Sequence, residues 1–199
     1  MSGLTSDIAP DFVTLRKRTG IDKFDEMWEG VLHMAPAPSR SHQDFHFGLL
    51  TWLRSHWALP CGNRVHGEVN VASPGGWPEN FRIPDLVLLT PNCFDIDRDV
   101  YFEGPPTVVV EIRSPGDETM EKLSFYAELG VPEVWVLDRD TKGPELYVLR
   151  SGRYERQSPT AEGWLCSGAT GVRLRGEPDN RLALQLSDNQ TTYRLLPEA

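Results

Sequence analysis

Apolar positions recur along this chain in two rhythms. Compact runs of β-branched and aliphatic residues at 82–89, 107–113 and 133–137, each bounded by turn signals, predict buried strands. Phe45, Leu49, Leu50, Trp52, Leu53 and Trp57 recur at helical spacing and predict an amphipathic helix over 41–58, with Ser39 or Ser41 as its cap. A second helix is expected over 118–129, started by Asp117 and stopped by Gly130 with Pro132 beyond it. Met120, Leu123 and Ala127 form its expected core stripe, with Lys122 and Tyr126 one turn apart on an adjacent face.

The segments around these are shorter. Up to Gly20 the pattern is mixed, an irregular arm with a short strand at 12–15. Two elements follow, joined near Glu29-Gly30, the second ended by Ala35-Pro36-Ala37-Pro38. Residues 65–72 alternate His66, Glu68 and Asn70 with Val65, Val69 and Val71, as in a half-buried strand. Residues 73–78 read as a loop long enough to be a substrate-contacting flap, and 95–99 as an acidic surface loop. A hairpin is expected from 145–149 and 154–157 across Ser151-Gly152, then strands near 164–166, 172–174 and 182–186.

Two residues break the apolar pattern. Asp85 and Glu111 each stand where a buried strand would carry an apolar side chain, and a buried charge is costly unless compensated. Alternation puts Thr107, Val109, Glu111 and Arg113 on one face and Val108, Val110 and Ile112 on the other. Asp85 shares a face with Val87 and Leu89. If the strands are neighbours, the two carboxylates converge and favour a hard divalent cation such as magnesium or manganese. Two blander readings stand beside this: Asp85 as a strand-edge or turn residue, and Glu111 as the ion-pair partner of Arg113 or Lys122.

The 199-residue length fits one domain, 1–199, with a core at about 24–150 and a β-rich extension at 151–199. A net charge of −9 argues against general adhesion to nucleic acid or anionic membrane. Arg16-Lys17-Arg18 and Arg150, Arg153 and Arg156 are either local basic patches or solvated charge. Cys61, Cys93 and Cys166 show neither metal spacing nor an even disulfide framework, as expected of a reducing cytoplasm. No export signal or membrane-spanning apolar run is visible. His42 and His46 lie one helical turn apart, but Gln43 after His42 excludes the His-Glu-x-x-His metalloprotease pattern.

Pro84-Asp85 followed by Glu111-Ile112-Arg113 resembles the PD-(D/E)XK motif of restriction-endonuclease-like phosphodiesterases. More closely, the chain resembles the Uma-two-type restriction endonuclease family, through Glu29-Gly30-Val31-Leu32 before His42, Pro84-Asp85, Glu111-Ile112-Arg113-Ser114-Pro115, Lys122 with Tyr126, and Gly130 to Asp138. The resemblance implies an α/β (α+β) restriction-endonuclease-like core, a mixed β-sheet flanked by helices, with extra β-hairpins in the N- and C-terminal parts. It implies that Asp85, Glu111 and the backbone carbonyl of Ile112 hold Mg²⁺ or Mn²⁺, that DNA is the substrate, and that the chain forms a homodimer.

The motif places a lysine two residues after the glutamate, where this chain has Arg113. A guanidinium cannot be a general base, although it can bind a phosphate or carboxylate. Lys122 matches the position where the family commonly places its lysine. Supporting roles fall to Glu68 (a third acid, or a residue on a wet sheet face), His42 (second to the metal, or structural), Glu29 (ligand or turn residue), and Ser114 and Tyr126, which shape and pack the site. Three functions remain in view: a metal-dependent endodeoxyribonuclease; a catalytically inactive nuclease fold that binds nucleic acid or protein; and, more weakly, a small-molecule metallohydrolase.

Overall fold

The computed structural model describes residues 10–187 and 189–195. Its first element is a helix, α1 (Pro10–Thr19), where an irregular arm with a strand at 12–15 was expected. Proline is tolerated in a first helical turn because its missing N–H has no partner there, and Arg16, Lys17 and Arg18 complement the negative end of the helix. Arg16 is also paired with Asp25, so that basic run is partly neutralised. Strands β1 (Glu26–Trp28) and β2 (Val31–His33) form the expected hairpin. Its turn residues Glu29 and Gly30 both have positive φ, 51° and 82°, the twist a two-residue hairpin requires.

Helix α2 (Arg40–Trp52) is capped by the Ser39 side chain, which accepts from the His42 N–H at 3.3 Å. It continues through a π-helical stretch, Leu53–Ala58, into the short α3 (Leu59–Cys61). Then come β3 (Arg64–Gly67), β4 (Asn70–Ala72), β5 (Phe81–Arg82), β6 (Leu86–Leu89), β7 (Tyr101–Glu103) and β8 (Val108–Arg113). Helix α4 (Lys122–Leu129) leads to β9 (Glu133–Asp138), and β10 (Pro144–Arg150) pairs with β11 (Arg153–Arg156) as the predicted hairpin. The remaining strands are β12 (Leu165–Cys166), β13 (Val172–Glu177), β14 (Arg181–Leu186) and β15 (Asn189–Leu195).

These strands make three sheets: a central six-stranded one in the order β11-β10-β9-β8-β6-β3, a second in the order β2-β1-β5-β4-β7, and a third from β12 to β15. The central sheet is mixed: β8 and β9 run parallel, and its other neighbours are antiparallel. A parallel pair needs a crossover, which α4 supplies. Phe45, Leu49, Trp52 and Leu53 pack with Val108, Val110 and Ile112 on one sheet face. On the other, Phe125 and Tyr126 of α4 cover Val109, Val134 and Val136. The expected alternation along β8 is therefore what the packing shows.

Three local expectations change. The helix expected over 118–129 begins only at Lys122, because the Asp117 carboxylate accepts the N–H groups of Ser114 and Thr119 in a turn upstream. Its buried residues are Phe125 and Tyr126, while Met120 is left exposed. The single strand expected over 65–72 divides at Glu68, whose φ of 55° turns the chain from the central sheet into the second. Gly67 beside it lets the His46 ring approach closely, since a Cβ there would sit 3.0 Å from that ring. The 73–78 loop folds Trp77 onto Tyr101 in a stack, centroids 4.8 Å apart, instead of reaching the site described below.

The β-rich tail is part of the main core. Leu165, Val172, Leu174, Leu182 and Leu184 are buried in the same cluster as α2 and β8. Each fully buried side chain of that kind stabilises the fold by about 1.5–3 kcal/mol. The buried Glu133 carboxylate binds this sheet to β9, accepting from the Ser167 hydroxyl at 2.6 Å and the Ala169 N–H at 3.0 Å.

Candidate active site

Leu86 pairs with Val110 in the antiparallel β6/β8 ladder, so continuing that register by one residue sets Asp85 opposite Glu111. Asp85 lies just before the regular strand, and its carboxylate is tied to β8: Oδ2 accepts the Ile112 N–H at 2.6 Å. Oδ1 lies 3.1 Å from His42 Nε2. One turn further along α2, His46 Nε2 donates to the Asp85 carbonyl at 2.9 Å, and the Glu68 N–H donates to the same oxygen at 3.0 Å. Both histidines of the helix thus hold the Asp85 corner. The pair is not a zinc site with its own ligand spacing.

Glu111 is 3% exposed. Its Oε1 accepts the Tyr126 hydroxyl at 2.6 Å and lies 3.5 Å from Lys122 Nζ. Lys122 and Tyr126, one turn apart on α4, therefore both reach the acid on β8. Lys122 has a closer partner, Glu26 Oε1, at 2.7 Å. Glu26 is fixed in turn by the Ile83 N–H, which donates to Oε1 at 2.8 Å, and by the Trp28 indole, which donates to Oε2 at 2.7 Å. Arg82 braces this corner: its guanidinium lies 4.2 Å from the ring centres of both Trp28 and Phe125.

Burial and charge set the protonation of the group. Burial pushes the Glu111 carboxyl up to about 8; Lys122 opposes the shift, while Asp85 and Glu26 add to it. Burial alone would depress Lys122, but Glu111 and Glu26 outweigh it and hold the ammonium above the ordinary lysine range. His42 behaves likewise: burial works against its charged form, yet the hydrogen bond and charge of Asp85, with Glu68 behind, raise its pKa. Burial, with Glu111 and Glu26, keeps Tyr126 firmly protonated as a donor.

These groups line one cavity of about 550 Å³, which Glu26, His42, Glu68, Asp85, Glu111 and Lys122 share with Ile112. Residues 9–176 match the family Uma2, described as "Putative restriction endonuclease". The chain belongs to the Uma2 family. Its fold is similar to that in a crystal structure of "a putative nuclease belonging to DUF820" from Anabaena variabilis ATCC 29413, with a TM-score of 0.58 and 16% identity over 73% of this chain and 82% of that one. No curated protein matches.

Of the residues expected in this Uma2 site, Asp85, Glu111, Ile112, Lys122, His42, Glu68 and Ser114 line the cavity, and Tyr126 binds Glu111 from behind. Gln43 donates to Glu68 at 3.2 Å. Two residues lie elsewhere. Glu29 is an exposed hairpin-turn residue. Arg113 turns to Asp138 and Glu145, with its Nη2 3.7 and 3.5 Å from them, so at the motif position it pairs with the neighbouring strands and not with Glu111. Sequence reasoning missed Glu26. The available signal was a carboxylate at the start of the first hairpin strand, three residues before Glu29, but nothing local said which of the two acids would face inward.

The divalent cation implied by the family finds fitting donors here. Among the described residues no three His, Cys, Asp or Glu side chains form a metal-holding group. Magnesium, however, is commonly held by one or two carboxylates together with water and substrate phosphate oxygens. Asp85 and Glu111 supply carboxyl oxygens, the hard donors magnesium takes, and Glu111, with its carboxyl pushed up to about 8, would give up its proton on binding a cation. Both interactions of Glu111 fall on Oε1, and Oε2 carries no hydrogen bond among the described residues. Among the described residues no helix is long and apolar enough to cross a membrane.

Proposed function

We propose that this Uma2 protein is a metal-dependent endonuclease that hydrolyses phosphodiester bonds in DNA. The reading is carried by one observation: Asp85, Glu111 and Lys122, from two adjacent strands and the crossover helix, line a single cavity. Asp85, Glu111 and the Ile112 carbonyl would hold Mg²⁺ or Mn²⁺. Such a cation lowers the pKa of a bound water and offsets charge on a phosphoryl oxygen. The protein's own groups do the rest. Lys122 keeps an ammonium beside Glu111 to stabilise negative charge developing on phosphorus-bound oxygens, and Glu26 fixes where that ammonium points. His42 and the Ile112 N–H hold the Asp85 carboxylate in place, and Tyr126 does the same for Glu111. Water attacks phosphorus and gives up a proton to solvent, the bond to the leaving oxygen breaks, and that oxygen takes up a proton from solvent.

The test is cleavage of single- and double-stranded DNA in Mg²⁺ or Mn²⁺ by the parent protein and by Asp85→Ala, Glu111→Gln and Lys122→Met. Each variant should lose cleavage by a factor of about 10² or more. Cleavage unaffected by Asp85→Ala refutes the assigned roles. The double commitment of Lys122 to Glu26 and Glu111 favours a second reading, a nuclease fold kept for binding. Calorimetric titration with Mn²⁺ separates the two, because absence of binding at Asp85 and Glu111 favours the second.

A further inference from the structure

The reacting groups lie at the bottom of a walled pocket. Glu111 is 3% exposed, and the side chains of Glu26 and Lys122 retain 7% and 14% of their surface. One wall is the segment 33–39 and the other the loop 114–119. A contact between His33 Nδ1 and Glu118 Oε2, 2.9 Å long, spans the two, and the other side of the His33 ring is stacked on Trp28 with centroids 3.9 Å apart. A phosphodiester must descend between these walls to reach Glu111. A nucleotide freed from its stack can enter more readily than a backbone held in a continuous duplex.

The lining chemistry points the same way. The lining carries Phe24, Met34, Pro36, Pro38, Ile83 and Pro115, apolar surface of the kind on which a base can lie. The charges are mostly negative: Glu68, Asp117 and Glu118 join Glu26, Asp85 and Glu111. The two permanent cations in the lining are already engaged, Lys122 with Glu26 and Glu111, and Arg139 with Asp140. The basic runs at 16–18 and 150–156 do not line this pocket, and within them Arg16, Arg150 and Arg156 pair with Asp25, Glu155 and Glu145. Duplex DNA, with one negative charge per roughly 1.7 Å, is ordinarily bound through strongly positive surface. Laid across this mouth it would meet carboxylates. Affinity here has to come from contact with a base and from a bound cation, and about 550 Å³ suits a single small-molecule-sized group.

We propose that the pocket takes one unstacked nucleotide of single-stranded DNA, at an end or a flap, its base against the apolar wall and its phosphate at Glu111 and Lys122; this rests on the nuclease reading above. Base contact on such a surface is tolerant of sequence, so little base preference is expected.

The full chain with Mg²⁺ is tested for binding, by fluorescence anisotropy, to a labelled single strand, the blunt duplex of the same sequence and that duplex with a single-stranded flap. Cleavage products of the same three are resolved on a gel. The single strand and the flapped duplex should bind at least about tenfold more tightly than the blunt duplex, and cuts should fall in or beside the single-stranded part. A deoxynucleoside monophosphate should displace the single strand at lower concentration than inorganic phosphate does. Equal binding and cutting of the blunt duplex overturns the single-strand assignment while leaving the nuclease reading intact. Equal competition by inorganic phosphate overturns the role of the apolar wall. Neither binding nor cutting of any of the three overturns the nuclease reading itself.

Discussion

Replacing Glu26 by glutamine removes a charge and almost no volume, so it isolates what that carboxylate does for Lys122. The two groups are 2.7 Å apart and both largely withdrawn from water. At an effective dielectric constant of about 20, unit charges at that distance attract by roughly 6 kcal/mol, much of which desolvation offsets. Removing one partner of a buried pair costs about 3–5 kcal/mol because the other charge is stranded. Here Glu111 remains 3.5 Å from the same ammonium, and the glutamine oxygen can still accept from Ile83, while its amide nitrogen then faces the Trp28 indole N–H. The remaining carboxyl lowers the expected loss and the unpaired indole raises it, so Glu26→Gln should cost about 3–5 kcal/mol. Glu26→Ala also strands the Ile83 N–H, a further cost of about 1–3 kcal/mol, so its loss should be about 4–8 kcal/mol. Equilibrium unfolding in urea at neutral pH, followed by tryptophan fluorescence, measures both. A Glu26→Gln protein within about 0.5 kcal/mol of the parent, or an alanine variant no less stable than the glutamine one, would refute the reasoning.

Three further outcomes are expected. The Tyr126 hydroxyl lowers the pKa of Glu111, so Tyr126→Phe should leave that carboxyl protonated to higher pH, and Mn²⁺ binding followed by calorimetry should require a more alkaline solution than in the parent. The folded-state pKa of His42 is raised, so its pairing with Asp85 stabilises the fold fully below the unfolded histidine value of 6.5 and loses that effect as pH rises through the folded value. His42→Gln should accordingly destabilise more at about pH 5.5 than at about pH 9, as read from urea midpoints at the two pH values. Glu133→Ala strands the Ser167 hydroxyl and the Ala169 N–H, and should cost about 2–4 kcal/mol in the same unfolding assay, with earlier amide exchange in the third sheet.

What could be read from the sequence was whatever local pattern controls. Strand β8 and the direction of Glu111 follow from strict alternation, and the two-residue turns at Glu29-Gly30 and Ser151-Gly152 follow from residue type. The boundary of α4 did not, because the Asp117 carboxylate is used in a turn of its own four residues earlier than a cap would need. Glu68 read as one member of an alternating strand, whereas its left-handed backbone sends the chain into another sheet, and its N–H bonds the Asp85 carbonyl across the sheet. Glu26 was hidden for a similar reason. Its significance comes from Lys122, almost a hundred residues away in sequence, and no nearby spacing announces it. Conversely, Arg113 stood at the motif position yet found two carboxylates on strands that only the folded sheet brings alongside.

The parallel run of β8 beside β9 has a consequence for how such a centre can vary. Two neighbouring strands of like direction oblige the chain to climb back over the sheet, and the return segment must pass above the end of the first strand. A side chain on that segment is thus delivered to Glu111 by connectivity alone, and the ammonium need not be encoded beside the acid it serves. Freed of that duty, position 113 could take up a cross-strand bond, while its partner in chemistry rides on the helix overhead.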